Sequence, residues 1–124
     1  MFHHFKLFIT EIRLLLSSPF FILLSILGNG LILISCYLFW LIEHEINPNL
    51  SSYMDALWWG FATATTTGYG DITPVSHAGK FLGIFLMLVG LALFSMYTAL
   101  FAEIIISSKK NHHKDKSKKD TFHT

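Results

Sequence analysis

The chain has 124 residues, 52% of them hydrophobic and only 14% charged, with a formal net charge of +1. That balance excludes an ordinary soluble domain and places the chain in the membrane class. No nucleophile with a base, and no metal-ligand set, occurs at useful spacing, so an enzyme is not expected.

Residues 1–18 place Phe5, Phe8, Ile9, Ile12, Leu15 and Leu16 at helical spacing, with Lys6, Thr10, Arg13 and Ser17 largely on other faces. This predicts an amphipathic helix lying in the inner membrane interface; the alternative is that the first span begins early. Ser18-Pro19 marks the break. From Pro19 to Ile42 there is no Asp, Glu, Lys or Arg in 24 residues. At 1.5 Å per residue that is about 36 Å, enough for a hydrocarbon core of about 30 Å. Residues 19–42 are therefore expected to form an outer transmembrane helix. Leu33-Ile34-Ser35-Cys36 loosely resembles a lipoprotein processing box, but the apolar run continues through Tyr37, Leu38, Phe39 and Trp40, longer than a signal peptide needs. A single cysteine allows no internal disulfide. Gly28-Asn29-Gly30 reads as a site of close helix packing.

Residues 43–77 form a loop between two spans. Asn47-Pro48 and the following serines read as exposed turn, and Asn49-Leu50-Ser51 matches a glycosylation sequon. Ser52-Tyr53-Met54-Asp55 has the form of a capping box and opens a short apolar helix over about residues 53–65. Some twelve residues reach only about 18 Å, too short to span, so this helix must dip in and stop partway. Thr66 to Asp71 follow directly. Non-helical backbone at membrane depth is tolerated only where protein buries it or it lines a water-filled path.

A second span follows over 78–108, with no formal charge from Phe81 to Ala102. Gly79 and Gly83 read as a close helix contact near its outer end. Residues 109–124 form a basic tail too poor in apolar residues to fold alone. Its six lysines beside a membrane point to anionic lipids and not to nucleic acid. His3, His4, His112, His113 and His123 make a pH response conceivable and no more. Basic residues outside the spans and acidic ones between them place both termini in the cytoplasm and the 43–77 loop outside, in a multi-pass protein of the cell membrane.

A permeating cation that sheds water needs oxygen ligands in its place, and backbone carbonyls supply them without a full charge. A strand whose carbonyls all point one way must alternate between right- and left-handed backbone. Gly68 and Gly70, one residue apart, fit that alternation. One chain offers too few carbonyls per level, and cyclic symmetry would multiply each into a ring.

Thr66-Thr67-Gly68-Tyr69-Gly70-Asp71 resembles the selectivity filter of potassium channels. With "ALWWGFATATTTGYGDITPVS" and the helix that follows, the likeness extends over roughly residues 19–105 to the pore of the small two-span bacterial channels. In that family rings of backbone carbonyls replace the ion's water, and the resemblance implies the same arrangement here. The resemblance implies an all-α membrane protein: two transmembrane helices, a re-entrant pore helix and a filter, assembled as a four-fold homotetramer. It would pass K+ passively and use no cofactor. K+ would sit at the carbonyls of Thr66, Thr67, Gly68 and Tyr69, with the Thr66 hydroxyl completing the innermost site and Gly70 shaping the outer mouth. Trp58 and Trp59 would brace Asp71 and Tyr69. Gly90 falls at the family's gating hinge, with helix packing as the rival reading. By the same resemblance Thr98, Ala99 and Ala102 would face the inner pore, and Glu103 would form a carboxylate ring at its mouth or else snorkel to solvent. Two departures stand out. Thr67 replaces the family's usual Val or Ile, and its hydroxyl needs a partner behind the filter. Ala62 stands where some relatives carry a Glu that bonds the filter Asp.

Overall fold

A computed structural model describes residues 2–121 of the chain. It contains four helices, α1 (Phe2–Leu16), α2 (Pro19–Glu43), α3 (Tyr53–Ala64) and α4 (His77–Thr121), and no strand among the described residues. Two segments, α2 and the His77–Ser107 part of α4, are long and apolar enough to cross a membrane. The described residues form two compact units, one of residues 23–95 and one of residues 2–22 with 96–121.

Each helix boundary has a local cause. Between α1 and α2 the Ser18 hydroxyl accepts the N–H of Phe21 at 3.1 Å, while Pro19 occupies the first helical position, where no N–H partner is needed. At α3 the capping box read from the sequence is present in full. The Ser52 hydroxyl accepts the Asp55 N–H at 3.3 Å, and the Asp55 carboxylate accepts the N–H groups of Ser52 at 2.8 Å and Ser51 at 2.9 Å. Donation to the carboxylate by the Ser52 N–H, the largest effect, with the Ser52 side chain and then the Ser51 N–H, holds the Asp55 carboxyl below the usual carboxylate range. Ser76 caps α4, its hydroxyl accepting the Gly79 N–H at 2.9 Å.

The second long helix extends further than residues 78–108, through the basic stretch to Thr121. No Gly or Pro follows Gly90, Lys is a good helix former, and lengthening an existing helix avoids the cost of nucleating one. Residues 122–124, with His123, lie outside the described residues. So do the side chains of Phe5, Phe8 and the lysines beyond Lys109, to which the expected interfacial and lipid contacts were assigned.

The core of the Leu23–Ser95 unit is where α2, α3 and α4 meet. Phe39 is fully buried and stacks on Trp59 at 3.6 Å between ring centroids and 11° between planes. Cys36, Ala56, Leu86, Ile32, Ala64, Ile72 and Leu50 complete it. Between membrane helices such a core is stabilised by close packing and not by removal of apolar surface from water. Gly28 is buried where α2 meets α4, and a β-carbon there would overlap the Leu93 methyls. Asn29 of the same motif donates to the Ser25 carbonyl at 2.8 Å, within its own helix. In the other unit, Phe21 and Tyr97 meet edge to face at 5.6 Å.

Candidate functional site

The short helix α3 ends at the buried Ala64. Its last turn closes through the Thr65 N–H to the Phe61 carbonyl at 3.0 Å and the Thr66 N–H to the Thr63 carbonyl at 3.2 Å. Beyond it, residues 65–71 are all exposed in the single chain. The backbone there alternates in hand: Thr66, Gly68 and Gly70 have φ of 64°, 56° and 80°, and no other residue among those described has positive φ. The two glycines were expected to do this. Thr66 was not, because a β-branched residue in the left-handed region is strained by roughly 1–2 kcal/mol. The alternation therefore reaches one step deeper than the glycines alone would carry it.

Several bonds pin this strand. The Gly68 N–H donates to the Ala62 carbonyl at 3.0 Å. Ala62, with no carboxyl to offer, thus holds the strand through its backbone. The Thr67 hydroxyl lies 2.9 Å from the Thr65 hydroxyl, which donates to the Phe61 carbonyl at 2.7 Å. Since the Thr65 proton is used on Phe61, Thr67 is the donor between the two threonines. At the outer end the Trp58 indole N–H donates to the Asp71 carboxylate at 2.9 Å, and its ring stacks on Tyr69 at 5.0 Å and 10°. Within the single chain Trp58 touches both residues that the tryptophan pair is expected to brace. Trp59 is 5% exposed and turned to Phe39.

Beside the strand, Thr63, Thr66, Gly68, Met87, Leu88 and Leu91 line an apolar hollow of about 350 Å³. Gly90 is buried against the end of α3, and a β-carbon there would come within 2.7 Å of the Cα and carbonyl carbon of Ala64. That contact accounts for a glycine at this position without any bend. Thr98, Ala99, Ala102 and Glu103 are exposed on α4. Glu103 lines a groove with Glu11 and Leu15 of α1 and Ile104 of α4.

One structural tie beside the site is not legible in the sequence. Glu43 looked like one more loop charge and Asn47 like an exposed turn, yet both are buried, Glu43 completely and Asn47 at 4%. The Glu43 carboxylate accepts the N–H of Val75 at 2.8 Å, the N–H of Ser76 at 2.9 Å, the Ser76 hydroxyl and the Asn47 amide at 3.1 Å. Asn47 also donates to the Thr73 carbonyl at 2.8 Å. The end of α2 is thereby tied to the segment leaving the strand. Gly79 makes room for it, since a β-carbon there would lie 2.9 Å from the Glu43 carboxyl carbon. The only advance signal was an Asn four residues after a Glu at the end of an apolar span.

A family model described as "Ion channel" matches residues 18–107. The chain is 32% identical over 90 residues to the human (Homo sapiens) potassium voltage-gated channel subfamily KQT member 4, covering 73% of this chain and 13% of that protein. It is 35% identical over 80 residues to a voltage-gated potassium channel of Aeropyrum pernix, covering 60% of this chain and 27% of the other. Among solved structures, a voltage-gated K+ channel pore domain in a closed state in lipid membranes shares 38% identity at a TM-score of 0.58, over 64% of this chain and 88% of that one. The chain thus spans only 13% and 27% of the lengths of these two relatives.

Proposed function

The chain belongs to the ion channel family matched over residues 18–107, and on that premise we propose that it forms a potassium-selective pore. Four copies around one axis would bring the strands from Thr66 to Gly70 together and turn each carbonyl level into a ring. K+ is then the permeant ligand, moving down its gradient without catalysis or cofactor. The carrying observation is the left-handed alternation at Thr66, Gly68 and Gly70. It supports successive carbonyls facing one way, which ordinary strand geometry would not provide.

Supporting parts fit the same reading. The carboxyl end of α3 meets the inner end of the strand, and its partial negative charge favours a cation there. Exposure of residues 65–71 in the lone chain is what neighbouring copies would cover. Two candidate spans support a membrane pore with both termini on one side; the basic residues flanking them favour the cytoplasmic side, where the basic tail would meet anionic lipid. Glu103, repeated fourfold, concentrates cations at the inner mouth.

The purified protein in liposomes tests this directly. K+ efflux should exceed Na+ efflux at least tenfold and be blocked by Ba2+. Equal K+ and Na+ flux, or none, overturns the reading.

A further inference from the structure

The left-handed Thr66 sits between two threonines whose hydroxyls meet across it. Thr65 and Thr67 are 2.9 Å apart at their oxygens, and between them Thr66 holds φ at 64°. In this structure the two flanking hydroxyls meet across a Thr66 held left-handed, so a change of hand at Thr66 would move Thr67 relative to Thr65. The link is anchored, because the Thr65 hydroxyl donates onward to the Phe61 carbonyl in the body of α3 at 2.7 Å. Its longer approach to the Ala62 carbonyl, 3.4 Å, adds little.

The geometry points to the Thr67–Thr65–Phe61 hydroxyl relay as a positioning device that holds Thr66 left-handed, and with it the orientation of the innermost ion-site carbonyls. A β-branched residue reverts from the left-handed region unless its surroundings hold it there. One net hydrogen bond is of the same order as that strain. Two backbone bonds also tie the segment to the α3 body at this level, the Thr66 N–H to the Thr63 carbonyl and the Gly68 N–H to the Ala62 carbonyl, but neither engages the side chain of Thr67. Thr67 and Thr65 act through Thr66, their hydroxyls being engaged with each other and with the Phe61 carbonyl. This rests on the pore reading above for its functional consequence, but not for its structural one.

The test uses the full chain in liposomes with three variants: Thr67→Val, which keeps shape and removes the donor; Thr67→Ser, which keeps the donor; and Thr65→Val, which removes the acceptor and anchor. Carbon-13 chemical shifts of Thr66 read its backbone hand independently of any flux. The left-handed signature is expected in wild type and Thr67→Ser, and a mixed or right-handed one in Thr67→Val and Thr65→Val. The K+ to Na+ flux ratio should fall about three- to tenfold in both valine variants, the size of one hydrogen bond. The double variant should be no worse than either single one. An unchanged Thr66 signature in both valine variants overturns the relay, whatever the flux. An absence of K+ flux in wild type with the signature responding as stated sinks the pore reading and leaves the relay standing.

Discussion

Replacing Glu43 by Ala should be among the most damaging single changes outside the strand. The carboxylate accepts four donors, the N–H groups of Val75 and Ser76, the Ser76 hydroxyl and the Asn47 amide, and is itself fully buried. Ala removes the acceptor and leaves these donors facing a void. Each donor left without a partner costs about 1–3 kcal/mol. Val75 is exposed and Ser76 only half-buried, so water recovers part of that. An expected loss of about 3–5 kcal/mol follows, in line with removing one partner of a buried charged network. Glu43→Gln keeps the volume and one oxygen but sets its NH2 against two of the donors, so it should cost about 1–3 kcal/mol. The Gly79 contact supplies a second arm. Gly79→Ala should destabilise the wild type, whose carboxyl carbon lies 2.9 Å from the added methyl, and cost much less in a Glu43→Ala background. Equilibrium unfolding in mixed detergent, followed by far-ultraviolet circular dichroism, measures all four variants. A Glu43→Ala loss under about 0.5 kcal/mol, typical of an ordinary surface change, would refute the clamp. Strict additivity with Gly79→Ala would refute the steric link.

Gly90→Ala discriminates a packing glycine from a hinge. The backbone of Ala64 blocks a β-carbon there, so a loss of about 1–3 kcal/mol is expected; a pure hinge would instead gain about 1 kcal/mol of helix propensity, and the same unfolding assay gives the sign. Asp55 supplies a pH test. Its carboxyl is held below its ordinary value by the Ser52 and Ser51 bonds, so its stabilisation is complete above its unfolded value of about 3.9. That stabilisation is lost as pH falls from there through the lowered native value. Unfolding scans should show this acid-side loss in wild type and not in Asp55→Asn. Glu103→Gln should lower K+ flux at low ionic strength and leave it unchanged at high salt, where screening is complete over a few ångströms. Flux independent of the substitution would assign the carboxylate to the groove it shares with Glu11.

Most of the architecture was legible because it depends on local composition. Charge-free runs of membrane length, a Ser-Pro break and a Ser-x-x-Asp box each act within a few residues, and the helices begin where those signals stand. Gly68 and Gly70 announced left-handed backbone because glycine alone adopts it cheaply. Thr66 could not be read in this way, since its intrinsic preference opposes the conformation it holds. The far end of α4 was misjudged for a related reason: a polar, basic stretch has no core to bury, but appended to a formed helix it needs none.

By itself, then, the sequence determined where the chain is apolar enough to cross a membrane, where a short capped helix must stop, and which glycines could turn a strand. Tertiary structure alone decided the partnerships: Glu43 with the segment 73–76, Trp58 rather than Trp59 with Asp71, Gly90 with Ala64, and Thr67 with Thr65. Periodicity and propensity reflect what a residue does to its own stretch of backbone. Whether a carboxylate is solvated or clamped, or a glycine bends or packs, depends on atoms that the fold delivers from thirty residues away or from the next helix, and those distances are set only when the helices meet.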